Sequence, residues 1–200
     1  QRPPSAGALE EGDRVLDYRE LNLRANRVAW ALRERGLGPD DFVAICLPRG
    51  IVAAVAVLGV FKSGAAHLPV DPRQPRPRIT EILAGGGVKA VIAEEDELPL
   101  APPGVAALEI GRLQEESSRE DDPPERALAQ HPAYLISTSG STGKPKSAIV
   151  SQGALSGLVE ALRLRLPELQ PSSSLLQVAN FGFDVFLEDL CRALLFGGRL

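Results

Sequence analysis

The sequence lacks the features that mark membrane proteins, nucleic-acid-binding proteins and secreted proteins. No apolar run approaches membrane-spanning length, and the 22 Lys and Arg residues form no basic block among 26 Asp and Glu residues. The opening residues 1–4 do not lead into the apolar core of a secretory signal. We therefore expect a cytoplasmic protein that has neither a membrane nor a nucleic acid as its partner.

Cysteine is scarce, and its two positions argue against a disulfide or a zinc site. Cys46 lies in an apolar, strand-like run and Cys191 lies in a helical pattern, and neither has another Cys or a His at ligand spacing. In a cytoplasmic protein such thiols are usually reduced and buried. We therefore expect no metal ion bound by protein side chains alone.

The chain has alternating strand and helix patterns, which predict an α/β fold. Its 200 residues, 44% of them hydrophobic, suffice for one large domain or two small subdomains. Strand, helix and strand patterns follow one another at residues 42–47, 51–62 and 66–70, and residues 88–93 are again β-prone. Such units connect parallel strands, so we expect a layered sandwich of mainly parallel sheets flanked by helices.

The first helix has clear start and stop signals. Asp17 can cap it, with Glu20 three residues later, and Gly36 stands at its C-terminal end. Its inward face is expected to carry Leu21, Ala25, Val28, Ala29 and Leu32. The capping role accounts for Asp17 without any catalytic duty.

Two more helices are predicted after residue 150. One covers residues 154–166, and its inward face is expected to hold Leu155, Leu158, Val159 and Leu162. The other begins at Asp184 and ends at Gly197 and Gly198.

Two other features are interpreted as structural. Residues 114–126 are charged and interrupted by prolines, which predicts a solvated loop without chemistry. His67 has no second histidine near it in sequence, so a packed ring is a better interpretation than a metal ligand or a base.

Residues 138–146 form the most informative stretch of the chain. Two glycines leave backbone N–H groups uncovered, and four hydroxyls and two lysines lie within the same nine residues. Such a turn can donate hydrogen bonds to phosphate oxygens, although a flexible hairpin is the alternative. A Walker A loop is excluded, because only two residues separate the glycines and Pro145 follows Lys144.

The chain resembles a known family at this stretch and at three others. Residues 134–146, Tyr-Leu-Ile-Ser-Thr-Ser-Gly-Ser-Thr-Gly-Lys-Pro-Lys, closely resemble the signature loop of the adenylate-forming enzymes. These include acyl-CoA synthetases, luciferases and the adenylation domains of nonribosomal peptide synthetases. The other motifs follow in the order of the peptide-synthetase branch, at residues 16–22, at 61–72, and at 183–184 followed by 193–198.

The resemblance implies that ATP and Mg²⁺ are used to activate an amino acid as its adenylate, with release of pyrophosphate. It implies a peptidyl carrier domain as the acceptor and a small activator protein as a further partner. The residues that it places around the nucleotide are Thr138, Ser139, Gly140, Ser141, Thr142, Gly143 and Lys146. Of these, Lys146 and Thr142 would be catalytic, while Lys144 is as well explained by a solvated side chain as by a phosphate contact.

The resemblance also implies a substrate pocket that contains Asp184, Val185 and Glu188. Asp184 would accept hydrogen bonds from the α-ammonium group, although Asp is equally suited to cap the helix that begins there. Glu188 is four residues further on, on the same face, and predicts an amino acid with a cationic or polar side chain. Two residues depart from the family pattern: Ser147 replaces a glycine, and Gln152 replaces a histidine.

The expected organisation is the N-terminal portion of a longer enzyme. Residues 1–170 would form a first α/β subdomain that carries the phosphate loop, and residues 171–200 would begin a second. The rival interpretations are an acyl- or aryl-CoA ligase and a noncatalytic nucleotide-binding fragment.

Overall fold

The computed structural model describes residues 3–139, 145–165, 170 and 172–200, and of residues 138, 139, 145 and 146 it describes the backbone alone. Within those ranges, no helix is both long enough and apolar enough to cross a membrane.

A mostly parallel sheet of six strands forms the centre of the fold. Its strands are β3 (Phe42–Cys46), β4 (Ala66–Val70), β5 (Ala90–Ala93), β6 (Ala106–Glu109), β7 (Pro132–Ser139) and β8 (Pro145–Ser151). They lie in the order β6-β5-β3-β4-β7-β8, in which every neighbouring pair is parallel except the antiparallel pair β7–β8. The predicted fold class is therefore confirmed.

Helices cover both faces of this sheet. They are α1 (Tyr18–Glu34), α2 (Ile51–Ser63), α3 (Arg76–Gly85), α4 (Ile110–Glu116), α5 (Gln152–Arg165) and α6 (Asp184–Leu195), with a 3₁₀ turn at Glu95–Leu100. In β3, Val43 and Ile45 pack in the apolar cluster that includes residues of α1, α2 and α6, whereas Ala44 and Cys46 pack in the cluster that includes residues of α3. Because both faces of β3 are buried, its sequence is a continuous apolar run instead of an alternating one.

The predicted signals of α1 are confirmed. The side chain of Asp17 accepts a hydrogen bond of 2.7 Å from the backbone N–H of Glu20, and Gly36 adopts a φ of +77° just beyond the helix. All five residues predicted to face inward are buried, namely Leu21, Ala25, Val28, Ala29 and Leu32. The helix packs closely against α2, where a Cβ built on Gly59 would lie 2.4 Å from Cγ1 of Val28.

A two-stranded hairpin near the N-terminus escaped the sequence analysis. Its strands are β1 (Gly7–Glu11) and β2 (Arg14–Asp17), joined by Gly12 and Asp13, with Gly12 at a φ of +59°. Leu200 pairs with β1, since it donates to the carbonyl of Ala8 and accepts from the N–H of Glu10 at 2.9 and 2.8 Å. The Glu11 carboxylate also accepts a bond of 3.3 Å from the N–H of Ile51, at the start of α2.

The prediction of a solvated loop at residues 114–126 is wrong for its first three residues, whereas residues 118–126 are exposed except for the half-buried Pro123. Helix α4 extends to Glu116, and residues 117–126, here called the strap, lie across α1. Three side chains of α1 donate to strap carbonyls: Asn26 to Glu120 at 2.7 Å, Trp30 to Asp121 at 2.9 Å and Arg33 to Pro124 at 2.7 Å. The guanidinium of Arg119 also lies 3.3 Å from the centroid of the Trp30 ring.

The predicted burial of helix α5 is also wrong. Leu155 packs partly against the core, but Leu158 is 39% exposed, and no residue of α5 is buried. Helical periodicity identifies the apolar face of a helix without specifying what covers it, and no described element covers this face fully.

Candidate functional site

The phosphate-loop motif lies at one end of the central sheet, on the hairpin formed by β7 and β8. Strand β7 continues the parallel sheet through the pairing of His67 with Tyr134, and β8 then returns antiparallel to it. The backbones of Thr138 and Ser139 pair with those of Lys146 and Pro145 at the far end of this hairpin. The turn therefore begins at the carboxyl end of a strand that is parallel to β4, which is where ligands bind in open α/β sheets.

Four of the predicted nucleotide-binding residues lie outside the described part of the chain, namely Gly140, Ser141, Thr142 and Gly143. Lys144, for which a solvated side chain and a phosphate contact are both open, lies outside it as well. For Thr138, Ser139 and Lys146 the structure gives the backbone pairing alone, so the side-chain roles of all these residues stay predictions.

The departures from the family pattern lie at the base and side of this hairpin. Ser147 is exposed and pairs with Ser137 in the antiparallel register. Gln152 begins α5, where its side-chain amide donates a bond of 3.3 Å to the carbonyl of Pro132. Gln152 therefore joins the start of α5 to the start of β7 through a contact that needs no positive charge.

Helix α6 carries the predicted substrate residues, and its start differs from one of the two interpretations given above. Phe183 is the N-cap residue and Asp184 is the first helical residue, so the interpretation of Asp184 as the cap is wrong. Asp184 is exposed, and within the described ranges it has no ion-pair partner. Its carboxylate is therefore unpaired among the described side chains, and it lies at the helix end where negative charge is favoured.

Tyr134 lies on β7, and residues of α6 are part of its surroundings. Its side chain is buried at 7% exposure, and burial raises the pKa of its phenol, with smaller contributions from Asp184, Cys191 and Glu188, all of which lie on α6. Tyr134 also packs in the same apolar cluster as Phe186 of α6. The strand that leads into the motif and the helix that carries Asp184 therefore adjoin in the core.

Glu188 lies in a group of charged side chains on α6. Its carboxylate is 3.5 Å from Nη1 of Arg192, one helical turn further on, and the same Nη1 is 3.7 Å from the Asp189 carboxylate. The amide of Gln177 donates a bond of 3.4 Å to Asp189. The sequence analysis did not mention Arg192, although its spacing from Glu188 was a visible signal for an ion pair.

His67 lies beneath Tyr134 as a packed ring, as predicted. Its centroid is 5.1 Å from that of Phe61 in an edge-to-face arrangement and 5.8 Å from that of Tyr134. Burial lowers the pKa of His67 to about 3, against a smaller opposing effect of its hydrogen bond to the backbone of Ala133. The ring is therefore neutral at physiological pH and is unsuited to act as a base.

Asp71 was missed as a residue that shapes the site. It follows the carboxyl end of β4, and its carboxylate forms a two-pronged ion pair with Arg73, with oxygen-to-nitrogen distances of 2.9 to 3.2 Å. Burial would raise the pKa of Asp71, but hydrogen bonds from Arg73 and Asn180 outweigh it and lower that pKa. Through Asn180, which accepts a bond from the N–H of Gly182, Asp71 anchors the turn that leads into α6.

The described side chains of this region offer carboxylates, an amide and a thiol. Among the described residues, no group of three or more His, Cys, Asp or Glu side chains is arranged to hold a metal ion. Cys191 is a free thiol, and burial, with a smaller effect of Glu188, raises its pKa to about 11. It is therefore protonated and unsuited to act as a nucleophile at neutral pH.

A mostly parallel sheet with helices on both faces defines an α/β protein, and the described residues on either side of the motif lie at the carboxyl end of β7. Residues 1–200, the whole chain, match the family model described as AMP-binding enzyme, and the chain belongs to that family.

Sequence and structure comparisons identify longer relatives. The chain is 42% identical over 187 residues to CymA of Salinispora arenicola, a probable non-canonical nonribosomal peptide synthetase. That alignment covers 94% of this chain and 2% of CymA. The structure of the nonribosomal peptide synthetase FmoA3 with AMPPNP bound matches with a TM-score of 0.88 at 29% identity, over 98% of this chain and 21% of that one. The N-terminal subdomain of NpsA from Klebsiella oxytoca, in complex with 3-hydroxyanthranilyl-AMSN, matches with a TM-score of 0.84 at 28% identity, over 98% and 49%. The chain thus spans half or less of each of these relatives.

Proposed function

We propose that the full-length protein uses ATP to convert an amino acid into its aminoacyl-adenylate and transfers the aminoacyl group to the phosphopantetheine thiol of a peptidyl carrier domain. The observation that carries the proposal is the packing of Tyr134 in the same apolar cluster as Phe186 and Leu187 of α6. Tyr134 lies on the strand that leads into the phosphate-loop motif, and Asp184 and Glu188 lie on α6. Solved relatives support it: FmoA3 has been solved with α-methyl-L-serine-AMP, and NpsA as an artificial fusion with a carrier protein.

The turn after β7 would hold the pyrophosphate end of ATP. Its uncovered N–H groups and the hydroxyls of Ser139, Ser141 and Thr142 would donate to the β and γ phosphates, and Lys146 would add a positive charge. The substrate carboxylate oxygen then attacks the α-phosphorus, and the bond from that phosphorus to the pyrophosphate oxygen breaks. The nucleophile is already ionised, so the turn acts by positioning and by stabilising negative charge.

Mg²⁺ would be held chiefly by phosphate oxygens and water. The described residues provide no acidic cage for it, and Mg²⁺ commonly binds nucleotides with few protein ligands. When bound, it would neutralise part of the phosphate charge. The proposal places the activity in the cytoplasm, where free thiols such as Cys46 and Cys191 stay reduced, and retains a small activator protein as a further partner.

Asp184 would bind the α-ammonium group of the substrate. It is exposed, it is not used as a helix cap, and it has no cationic partner in the described part of the chain. Val185, which is 45% exposed, and Glu188 would line the space for the substrate side chain, which we propose is polar or cationic. In this proposal residues 1–170 form the nucleotide subdomain and residues 171–200 begin the pocket subdomain.

Amino-acid-dependent exchange of pyrophosphate into ATP by the full-length protein tests the proposal. We expect exchange with one or a few polar amino acids and a loss of about 100-fold in kcat/KM when Asp184→Asn removes the negative charge. Ser156→Asn on exposed α5 is the control and should leave exchange unchanged. ATP binding without exchange for any acid would contradict the proposal and favour a noncatalytic nucleotide-binding protein.

A ligase for aromatic acids is the second candidate. It is favoured by one observation: NpsA has been solved with a 3-hydroxybenzoyl-AMSN ligand, whose acyl group has no amino group. An enzyme of this kind would turn over benzoate-like acids or form acyl-CoA, and would tolerate Asp184→Asn. The same exchange assay, run with benzoic and amino acids side by side, separates the two candidates.

A further inference from the structure

Arg192 is shared between two carboxylates on the predicted pocket helix. Its Nη1 lies 3.5 Å from an oxygen of Glu188 and 3.7 Å from an oxygen of Asp189. Both distances exceed those of a tight charge-assisted hydrogen bond, which is about 2.7 to 2.9 Å. The guanidinium is therefore an ion-pair partner of both carboxylates and is locked to neither.

The two carboxylates differ in how they are supported. The Asp189 side chain is 13% exposed and also accepts a bond of 3.4 Å from the amide of Gln177. The Glu188 side chain is 31% exposed and has Arg192 as its only ion-pair partner in the described part of the chain. Glu188 is thus the carboxylate that a ligand can reach. If a ligand binds Glu188, Arg192 stays paired with Asp189.

Burial makes Asp189 depend on this cation. Burial raises the pKa of Asp189 and Glu188 adds to that rise, whereas Arg192 and the hydrogen bond from Gln177 lower it. Glu188, Asp189 and Arg192 together carry a formal net charge of −1, and the two carboxylates alone carry −2. The Arg192 guanidinium therefore determines how strongly this group of side chains attracts a positively charged ligand.

We propose that Arg192 is a specificity-determining residue, which competes with cationic substrate side chains for Glu188 and so favours neutral polar ones. This inference rests on the proposed function, which places Glu188 at the substrate side chain. A neutral amide or hydroxyl can donate to Glu188 while Arg192 stays in place. A cationic side chain must share Glu188 with a like charge, or else Arg192 must move wholly to Asp189.

Two substitutions that act in opposite directions follow from this arrangement. Arg192→Gln removes the competitor, so it should raise the ratio of kcat/KM for lysine or ornithine to kcat/KM for glutamine by about tenfold. Asp189→Asn removes the alternative partner and leaves Arg192 on Glu188, so it should lower that ratio several-fold. Arg192→Lys keeps the positive charge and should hold the ratio within about twofold of its original value.

The test measures pyrophosphate exchange by the full-length protein and its variants with these three amino acids. The matched control is Arg163→Gln on exposed α5, where Arg163 also pairs with a carboxylate, that of Glu160 at 3.9 Å. Removing this surface pair should leave the ratio unchanged. If the unmodified protein supports exchange with no amino acid, the proposed function fails before the role of Arg192 is reached.

If exchange is normal but Arg192→Gln leaves the ratio unchanged or lowers it, the inference is overturned while the proposed function stands. Circular dichroism establishes whether each variant is folded. Should Arg192→Gln fail to fold, Asp189→Asn decides, since an unchanged or higher ratio in that variant overturns the inference equally.

Discussion

The interior of the central sheet and its β8 edge differ in what covers them. Strand β3, in the interior, is enclosed by helices on both faces, and its Ile45 is fully buried. By contrast, β8 is an edge strand, and Ile149 on it is 60% exposed. Strands of the same sheet thus differ in burial, since β3 is enclosed on both faces while the edge hairpin of β7 and β8 holds the backbone on either side of the phosphate-loop motif.

The largest predicted effect concerns the exposed edge. Lys146→Ala should lower pyrophosphate exchange by the full-length protein by about 100- to 1000-fold, because a charge that stabilises the transferring phosphates is lost. Unfolding should be unaffected. Lys89→Ala is the control, since Lys89 forms its ion pair with Asp41 in the other half of the sheet. An unchanged exchange rate in Lys146→Ala would remove the turn from the mechanism.

Substitutions in the interior of the sheet should lower the free energy of unfolding more than substitutions at its edge. Ile45→Ala should cost about 2 to 5 kcal/mol, because it leaves a cavity in a fully buried site. Ile149→Ala, the same substitution at the edge, should cost less than about 1 kcal/mol. Urea unfolding with hydrogen exchange of peptides from β3 and β8 measures both, and equal costs would contradict the contrast drawn here.

Two helical glycines extend the comparison of buried and exposed positions to the addition of a single methyl group. Gly59→Ala should cost about 1 to 3 kcal/mol, because its Cβ would lie 2.4 Å from the side chain of Val28 in the contact of α1 with α2. Gly157→Ala on α5 meets nothing within 4 Å and should stabilise that helix by about 0.5 to 1 kcal/mol. Thermal unfolding of the two variants should therefore shift in opposite directions, and a shared direction would refute this account.

A pH dependence of stability is expected at His67, in the buried interior. Its folded pKa of about 3 lies below the value of 6.5 for an exposed histidine, so the unfolded chain binds the proton more readily. Its contribution to stability is complete above pH 6.5 and falls by about 1.4 kcal/mol per pH unit as the pH drops towards 3. His67→Phe should remove this slope in acid unfolding, and an equal slope in both proteins would show that His67 is protonated in the folded state.

The sequence predicted the interior better than the edges. The βαβ pattern, the cap at Asp17 and the packed ring of His67 all depend on short-range signals, and all are confirmed. The β1–β2 hairpin was missed because its strands are short and rich in charge, although Gly12 and Asp13 are a typical two-residue turn.

What could not be predicted depends on contacts between distant segments. The strap is polar, and its hold on α1 depends in part on main-chain acceptors, which no side-chain pattern reveals. The apolar face of α5 was identified correctly, but its covering is a property of other elements. At the site, the pairing of Glu188 with Arg192 was visible as helical spacing, whereas the approach of Tyr134 to α6 required the fold.

The strap has a consequence for sequence drift. Its carbonyls are what Asn26, Trp30 and Arg33 recognise, and every amino acid, proline included, offers the same carbonyl. Strap positions that contribute only a carbonyl, such as Pro124, can therefore change with little penalty, whereas Arg119 and the three donors on α1 cannot. A segment whose composition suggests disorder is thus held in place by the helix beneath it. Selection on the sequence should therefore act more strongly on that helix than on the segment.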